Sequence, residues 1–216
     1  MVPSVQTSLS AQELFQEAYE HRYTWDREFP GFTAAVTLIQ GEQTTKAQAQ
    51  VTPDLKVVIS DSNHGEGEKA IFEQLREVII HRVRRSFAEV HGKNTFAFGE
   101  CLSDGTVEIV VDGAATGDRY RVRDRIITMV HRHIHSMVVT IHTLTYKNTP
   151  LGYLPEIYES TYSNPSTGET QNEKTVHEDH YIQVDGYYIL SDRTQRYAPS
   201  DQPYSHLILA NVRLIA

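Results

Sequence analysis

Three histidines alternate along one short run, His131-Arg132-His133-Ile134-His135. On a strand alternate residues share a face, so the three rings point the same way with neighbours about 7 Å apart. Two imidazoles in a His-x-His arrangement can chelate one zinc or iron ion. The third cannot reach the same ion from the same strand, so a metal site needs a ligand from elsewhere. No His/Glu motif of catalytic spacing accompanies the row. The plainer readings are a solvated strand, or contact with a bound ligand.

The preceding hairpin refines this. If Asp124-Arg125 form a two-residue turn, Arg123 faces Ile126, Val122 faces Ile127 and Tyr120 faces Met129. Continued without a bulge, that register carries His131, His133 and His135 onto the apolar face of Tyr120 and Met129. One bulge between Val130 and Met137 would turn part of the row outward. Arg119, Arg121 and Arg123 take the opposite face, where guanidinium forks could hold an anion. Acidic cross-strand neighbours such as Glu108 or Asp118 could equally balance them.

Tyrosine is unevenly placed: nine of the twelve follow residue 145. Tyr146, Tyr158 and Tyr188 are candidates for the wall of a ligand cavity, where an aromatic body with a polar tip is useful. The half-buried face of any sheet uses tyrosine as well. The other histidine cluster, His177-Glu178-Asp179-His180, places its two rings three residues apart, which suits a helix face and not one strand face. It reads as a solvated turn. The lone Cys101 reads as a small buried strand residue and, having no partner, fits a reducing compartment. There is no phosphate loop, nucleophile elbow, Cys-x-x-Cys pair or His-Glu-x-x-His. No catalytic residue, metal ligand or cofactor is therefore assigned.

Several elements must position these residues. Ser10 and Glu13 form a capping box before the helical stripe of Leu14, Phe15, Ala18 and Tyr19, which runs to about Tyr23. Residues 1–9 read as a flexible lead-in, and residues 10–216 as one β-rich domain. Phe32–Ile39, residues 44–51 and Leu55–Ile59 read as strands. Ile71, Leu75, Val78, Ile79 and Val83 mark a second helix ending near Phe87, with His81 to Arg85 complementing its dipole. Nine further runs follow: Phe96–Cys101, Val107–Val111, Tyr120–Arg123, Ile126–Val130, Val138–Tyr146, Tyr153–Tyr162, Glu173–Val176, Tyr187–Tyr197 and Leu207–Leu214. Turn dipeptides such as Asp112-Gly113 and Asp185-Gly186 separate them. Such short connections require antiparallel neighbours. The expected fold is mainly β (α+β): a long antiparallel meander curled into a half-barrel or barrel, with one helix at the start and one after the third strand. That architecture resembles half-barrels of the lipoprotein-carrier type, at the level of fold alone.

Tyr19-Glu20-His21-Arg22-Tyr23-Thr24-Trp25, Phe29-Pro30-Gly31-Phe32, His91-Gly92-Lys93-Asn94-Thr95-Phe96 and Asn164-Pro165-Ser166-Thr167-Gly168-Glu169 resemble an uncharacterised family of cyanobacteria and plant plastids, a domain of unknown function. The resemblance covers nearly the whole chain. It implies a photosynthetic source and a soluble protein, and brings no activity and no site residues.

Composition narrows the functional classes. A net charge of −8 repels phosphate backbones, so nucleic acid is not an expected partner. No run approaches the roughly 20 apolar residues of a membrane helix, and the N-terminus lacks the pattern of a secretory leader. A cytoplasmic location is expected. The sequence points first to a non-enzymatic domain that binds or carries a small amphipathic or apolar molecule. A protein-interaction or assembly factor docking through the arginine row is the alternative. A metal-dependent enzyme built on His131, His133 and His135 comes third.

Overall fold

Local signals start both short helices. In the computed structural model, which describes residues 9–62, 65–134 and 136–215, the Ser10 hydroxyl accepts from the Glu13 N–H and the Glu13 carboxylate accepts from the Ser10 N–H. Helix α1, Ala11–Glu20, follows from that capping box. It ends a turn earlier than its apolar stripe suggests, and the Tyr23 N–H beyond it donates to the Tyr153 carbonyl. The expected lead-in lies, apart from Leu9, outside the described residues.

Twelve strands follow: β1 Phe32–Gln40, β2 Gln43–Val51, β3 Val57–Ser60, β4 Asn94–Cys101, β5 Val107–Gly113, β6 Arg119–Arg123, β7 Ile126–Ile134, β8 Met137–Thr149, β9 Gly152–Ser163, β10 Thr175–Val184, β11 Tyr187–Tyr197 and β12 Ser205–Leu214. Helix α2, Glu66–Ile80, and helix α3, Phe87–His91, lie between β3 and β4. The fold is mostly β, as the strand-and-turn pattern predicts. The strands form one open antiparallel sheet in the order β3-β2-β1-β12-β11-β10-β9-β8-β7-β6-β5-β4. From β4 to β12 it is an unbroken meander. One joint is not sequential: β1 pairs with β12, so β3 and β4 become the two edges.

The second helix requires a correction. It stops at Ile80, and Ser86 with Glu89 starts a separate helix through a second capping box. Arg82 to Arg85 therefore do not complement the α2 dipole. Arg82 is buried, and its carbonyl accepts from the Trp25 N–H at 2.9 Å.

The contacts divide the chain into two compact units. Unit 1 holds residues 1–22, 85–143 and 161–172. Its core is aromatic: Phe15 of α1 stacks on Tyr120 at 4.2 Å and meets Phe87 at 5.7 Å and His91 at 5.1 Å. Asp124 and Arg125 both take positive φ, as a tight hairpin turn between β6 and β7 requires.

Unit 2 holds residues 23–84, 144–160 and 173–216. Trp25 stacks on Phe29 at 4.0 Å, and its indole N–H donates to the Tyr188 carbonyl. Gly31 has φ +83°, and a Cβ there would run into the Val51 carbonyl, so the turn entering β1 demands glycine. Ile71, Leu75, Val78 and Ile79 bury one face of α2 against Val36, Leu38, Ala47 and Leu207 of the sheet. A Cβ on Gly67 would collide with the Thr45 side chain, so the first turn of α2 rests directly on β2.

Candidate functional site

The chemistry of unit 2 lies where β9, β10, β11 and β12 run side by side. Thr175, His177, Asp179 and Tyr181 alternate on β10 and all are buried, while Glu178 and His180 point away. The expectation of a solvated turn at His177–His180 is therefore corrected: the segment is strand, and period two sends His177 and Asp179 inward. Across the ladders, Tyr158 faces His177, His177 faces Gln195, and Gln195 faces Ser205. One step along, Asp179 faces Arg193.

Arg193 is the centre of this arrangement. It is 2% exposed, as is Asp179. Its Nε donates to Asp179 Oδ1 at 2.7 Å, and its Nη2 donates to Asp179 Oδ2 at 2.8 Å and to the Tyr158 hydroxyl at 2.7 Å. The Tyr181 hydroxyl donates to Asp179 Oδ2 at 3.2 Å, with the Pro155 carbonyl at 3.3 Å as the other acceptor in reach, and itself accepts from Arg82 Nη2 at 2.8 Å. Helix α2 contributes two side chains. Gln74 donates to the Ser205 hydroxyl at 2.9 Å, and Glu77 stands 3.5 Å from Arg193 Nη1. Arg193 Nη1 and Gln74 Oε1 are buried with no hydrogen-bond partner among the described residues.

Burial sets the protonation states. It pushes the Tyr158 and Tyr181 phenols upward, so both are neutral hydroxyls at pH 7. Burial alone would weaken the Arg193 charge, but the Tyr158 oxygen and the Asp179 carboxylate more than offset it, and the guanidinium stays charged.

Burial also lowers His177 to about 4, with Arg193 adding to the effect. His91 of unit 1 falls to about 4 for the same first reason. Each ring is neutral in the folded protein at pH values where the unfolded chain, near 6.5, already takes up a proton. Stability is therefore complete above about pH 6.5 and falls as pH drops towards 4. For His177 the loss should be about 2 kcal/mol by pH 5. Urea unfolding at pH 7 and pH 5 should show a smaller difference for His177→Gln than for the wild type. Equal differences would mean that His177 is not buried as a neutral ring.

Ser160, His177 and Gln195 resemble a nucleophile, base and orienting group, with Ser160 Oγ 3.0 Å from His177 Nε2 and Gln195 Nε2 3.3 Å from His177 Nδ1. The donor pattern opposes that use. If the Gln195 amide nitrogen donates to Nδ1, the ring proton sits on Nε2 and Ser160 accepts it, the reverse of base catalysis. All three are buried, and Tyr158 stacks on the imidazole at 4.6 Å. The chain of bonds satisfies polar groups inside the sheet.

The residues expected from sequence fall in several places. A bulge lies between Arg121 and Val122 in the β6–β7 ladder, nearer the turn than expected, so Tyr120 faces Val130 and Arg119 faces His131. The extra residue moves His131 and His133 onto the face of Arg119, away from the apolar row. His131 Nδ1 is 2.8 Å from the Thr140 hydroxyl, and His133 Nδ1 is 3.2 Å from Asp118, which also faces Arg132. His135 lies outside the described residues. Among the described residues, no three His, Cys, Asp or Glu side chains are arranged to hold a metal.

Tyr120 is buried beneath Phe15, and Met129 is buried opposite Arg121 and His142. Arg123 pairs with Asp104 at 2.7 Å, and Arg121 stands 3.8 Å from both Glu100 and Glu108. Acidic side chains thus stand beside two of the three arginines. Tyr146 meets Tyr153, and Tyr188 meets Tyr23, both edge to face. Of these candidates, only Tyr158 joins the buried network. Cys101 is exposed, a correction of its expected burial, because it ends the edge strand β4.

A cleft of about 250 Å³ opens beside the start of α2, lined by Ile59, Gly65, Glu68, Lys69 and Phe72. No helix among the described residues is long and apolar enough to cross a membrane.

Fold and site together define an open antiparallel β-sheet domain with a charged network buried beneath a covering helix in unit 2. The chain belongs to the family described as protein of unknown function (DUF3386), whose pattern matches residues 6–215. No curated protein matches it. Among solved structures it is similar to a LolA superfamily protein from Nitrosomonas europaea, at 9% identity and a TM-score of 0.33, over 97% of this chain and 95% of that one.

Proposed function

We propose that the protein is a non-enzymatic binding or carrier domain, in which α2 leaves the sheet of unit 2 to admit a small molecule with an apolar body. The observation that carries this reading is the mixed attachment of α2. Its apolar residues Ile71, Leu75, Val78 and Ile79 pack on the sheet beside two polar contacts, Gln74 with Ser205 and Glu77 with Arg193. A seam meant only to stay closed gains little from the buried Arg193 charge beneath the helix, since an apolar replacement is often as stable or more so. A cover that must open is different: water rehydrates the charged groups as it lifts, which lowers the cost of opening, and the exposed apolar face can receive a ligand.

The pivot is also built in. Arg82, two residues beyond α2, is held by the Trp25 N–H on its carbonyl and by Tyr181 on its guanidinium. On this reading the helix swings while Arg82 stays in place. The 250 Å³ cleft beside Phe72 lies at the opposite end of α2 and is smaller than the roughly 300–1,000 Å³ of ordinary ligand pockets, and movement of α2 would enlarge it.

Titration calorimetry with decanoate and decanol, both kept below aggregation, tests the reading. The wild type should bind at least one of them. Gly67→Val, whose side chain meets Thr45 and pushes α2 from β2, should bind it several-fold more tightly while keeping the far-UV circular dichroism of the wild type. No binding of either probe by wild type or variant would sink the proposal.

A further inference from the structure

We infer that the molecule received under α2 carries an anionic head, a carboxylate or phosphate monoester, which takes the place of the Glu77 carboxylate at Arg193. This inference rests on the binding reading above and names the chemistry of its ligand. A guanidinium has five N–H donors in a fixed fork. In Arg193, Nε and Nη2 spend three of them on Asp179 and Tyr158. The two on Nη1 make no hydrogen bond among the described residues, although the residue is 2% exposed. A buried charged donor in that condition is costly, and an oxyanion is the partner that suits it best.

Glu77 occupies the direction of Nη1 without satisfying it. Its carboxylate is 3.5 Å away, beyond a good charge-assisted bond, and its side chain is 42% exposed and so still hydrated. It travels with α2, whereas Arg82, Asp179 and Arg193 belong to the parts that stay. Lifting the helix leaves two guanidinium charges against the single Asp179 carboxylate, an excess of one positive charge at the edge of the apolar face. A ligand anion restores the balance and can form the bidentate contact that Glu77 does not. A cation at the same position would face Arg193 and Arg82 and would be repelled. The Gln74 amide, also with an unbonded buried oxygen, lies on the same side of α2 and leaves with it.

Calorimetry of the whole chain with decanoate, decyl phosphate, decanol, decylammonium and acetate decides the matter. Decanoate and decyl phosphate should bind at least tenfold more tightly than decanol, and decylammonium and acetate should bind more weakly than decanol. Glu77→Gln, a change at a half-exposed side chain, should tighten decanoate about three- to tenfold and leave decanol within about twofold. In the double variant Asp179→Leu/Arg193→Met, which leaves no lone charge at that pair, the preference for decanoate over decanol should collapse. Equal binding of decanoate and decanol by the wild type would overturn the anionic head and leave the binding reading intact. Acetate binding as tightly as decanoate would overturn it in favour of a free-anion site. Failure of all the decyl probes would remove both.

Discussion

Replacing Asp179 with alanine should cost about 3–5 kcal/mol of stability, because it strands the Arg193 charge inside unit 2. Asp179 takes two of the arginine's hydrogen bonds and one from Tyr181, at 2% exposure. Without it, the guanidinium keeps only the Tyr158 hydroxyl and the distant Glu77. The double variant Asp179→Leu/Arg193→Met should recover most of the loss, since removing both charges avoids an unpaired one. Urea unfolding of the two variants measures this directly. If the single and double variants were equally destabilised, the pair would matter for packing and not for charge.

The second large effect belongs to unit 1. Phe15→Ala should cost about 3–5 kcal/mol, the range for emptying a buried phenylalanine site. Phe15 is fully buried and its ring contacts Tyr19, Phe87, His91, Phe96 and Tyr120. These neighbours come from α1, α3, β4 and β6, so the void cannot close by moving one element. Phe15→Leu should cost roughly half as much, since most of the volume is kept. A loss under 1 kcal/mol for the alanine variant, read from the same urea titration, would show that α1 is not packed as described.

Much of this architecture is legible along the chain because the signals are local. The Ser10–Glu13 box, the helical stripe after it and the Asp124-Arg125 and Asp185-Gly186 turns specify their elements without help from distant residues. The motifs that suggest a family are mostly structural: Tyr23, Trp25, Phe29 and Phe32 are core residues, and Gly31 answers a steric demand. What escaped the sequence was decided by long-range pairing. The β1–β12 joint leaves no local mark. The bulge at Arg121/Val122 shifts the register by one residue, and at period two that changes the face of His131 and His133.

The buried network was partly within reach. His177, Asp179 and Tyr181 stand two apart, as do Arg193 and Gln195. Reading His177–His180 as strand would have placed His177 with Asp179 and opposed them to an arginine-bearing strand. Judged by local polarity, the segment looks like a turn. Its burial is decided by β9, β11 and α2, which contribute Tyr158, Arg193 and Glu77 from far along the chain. Sequence spacing alone does not bring them together.

Amide hydrogen exchange of the unliganded chain, followed residue by residue, addresses the mobility of α2 most directly. Amides of α2 should exchange through a local opening several kcal/mol below that of β10 and β11, and added decanoate should change protection in α2 while leaving β10 unaltered. Exchange of α2 only together with β10 and β11, with no response to decanoate, would mean that the helix is a fixed part of the core and covers no binding site.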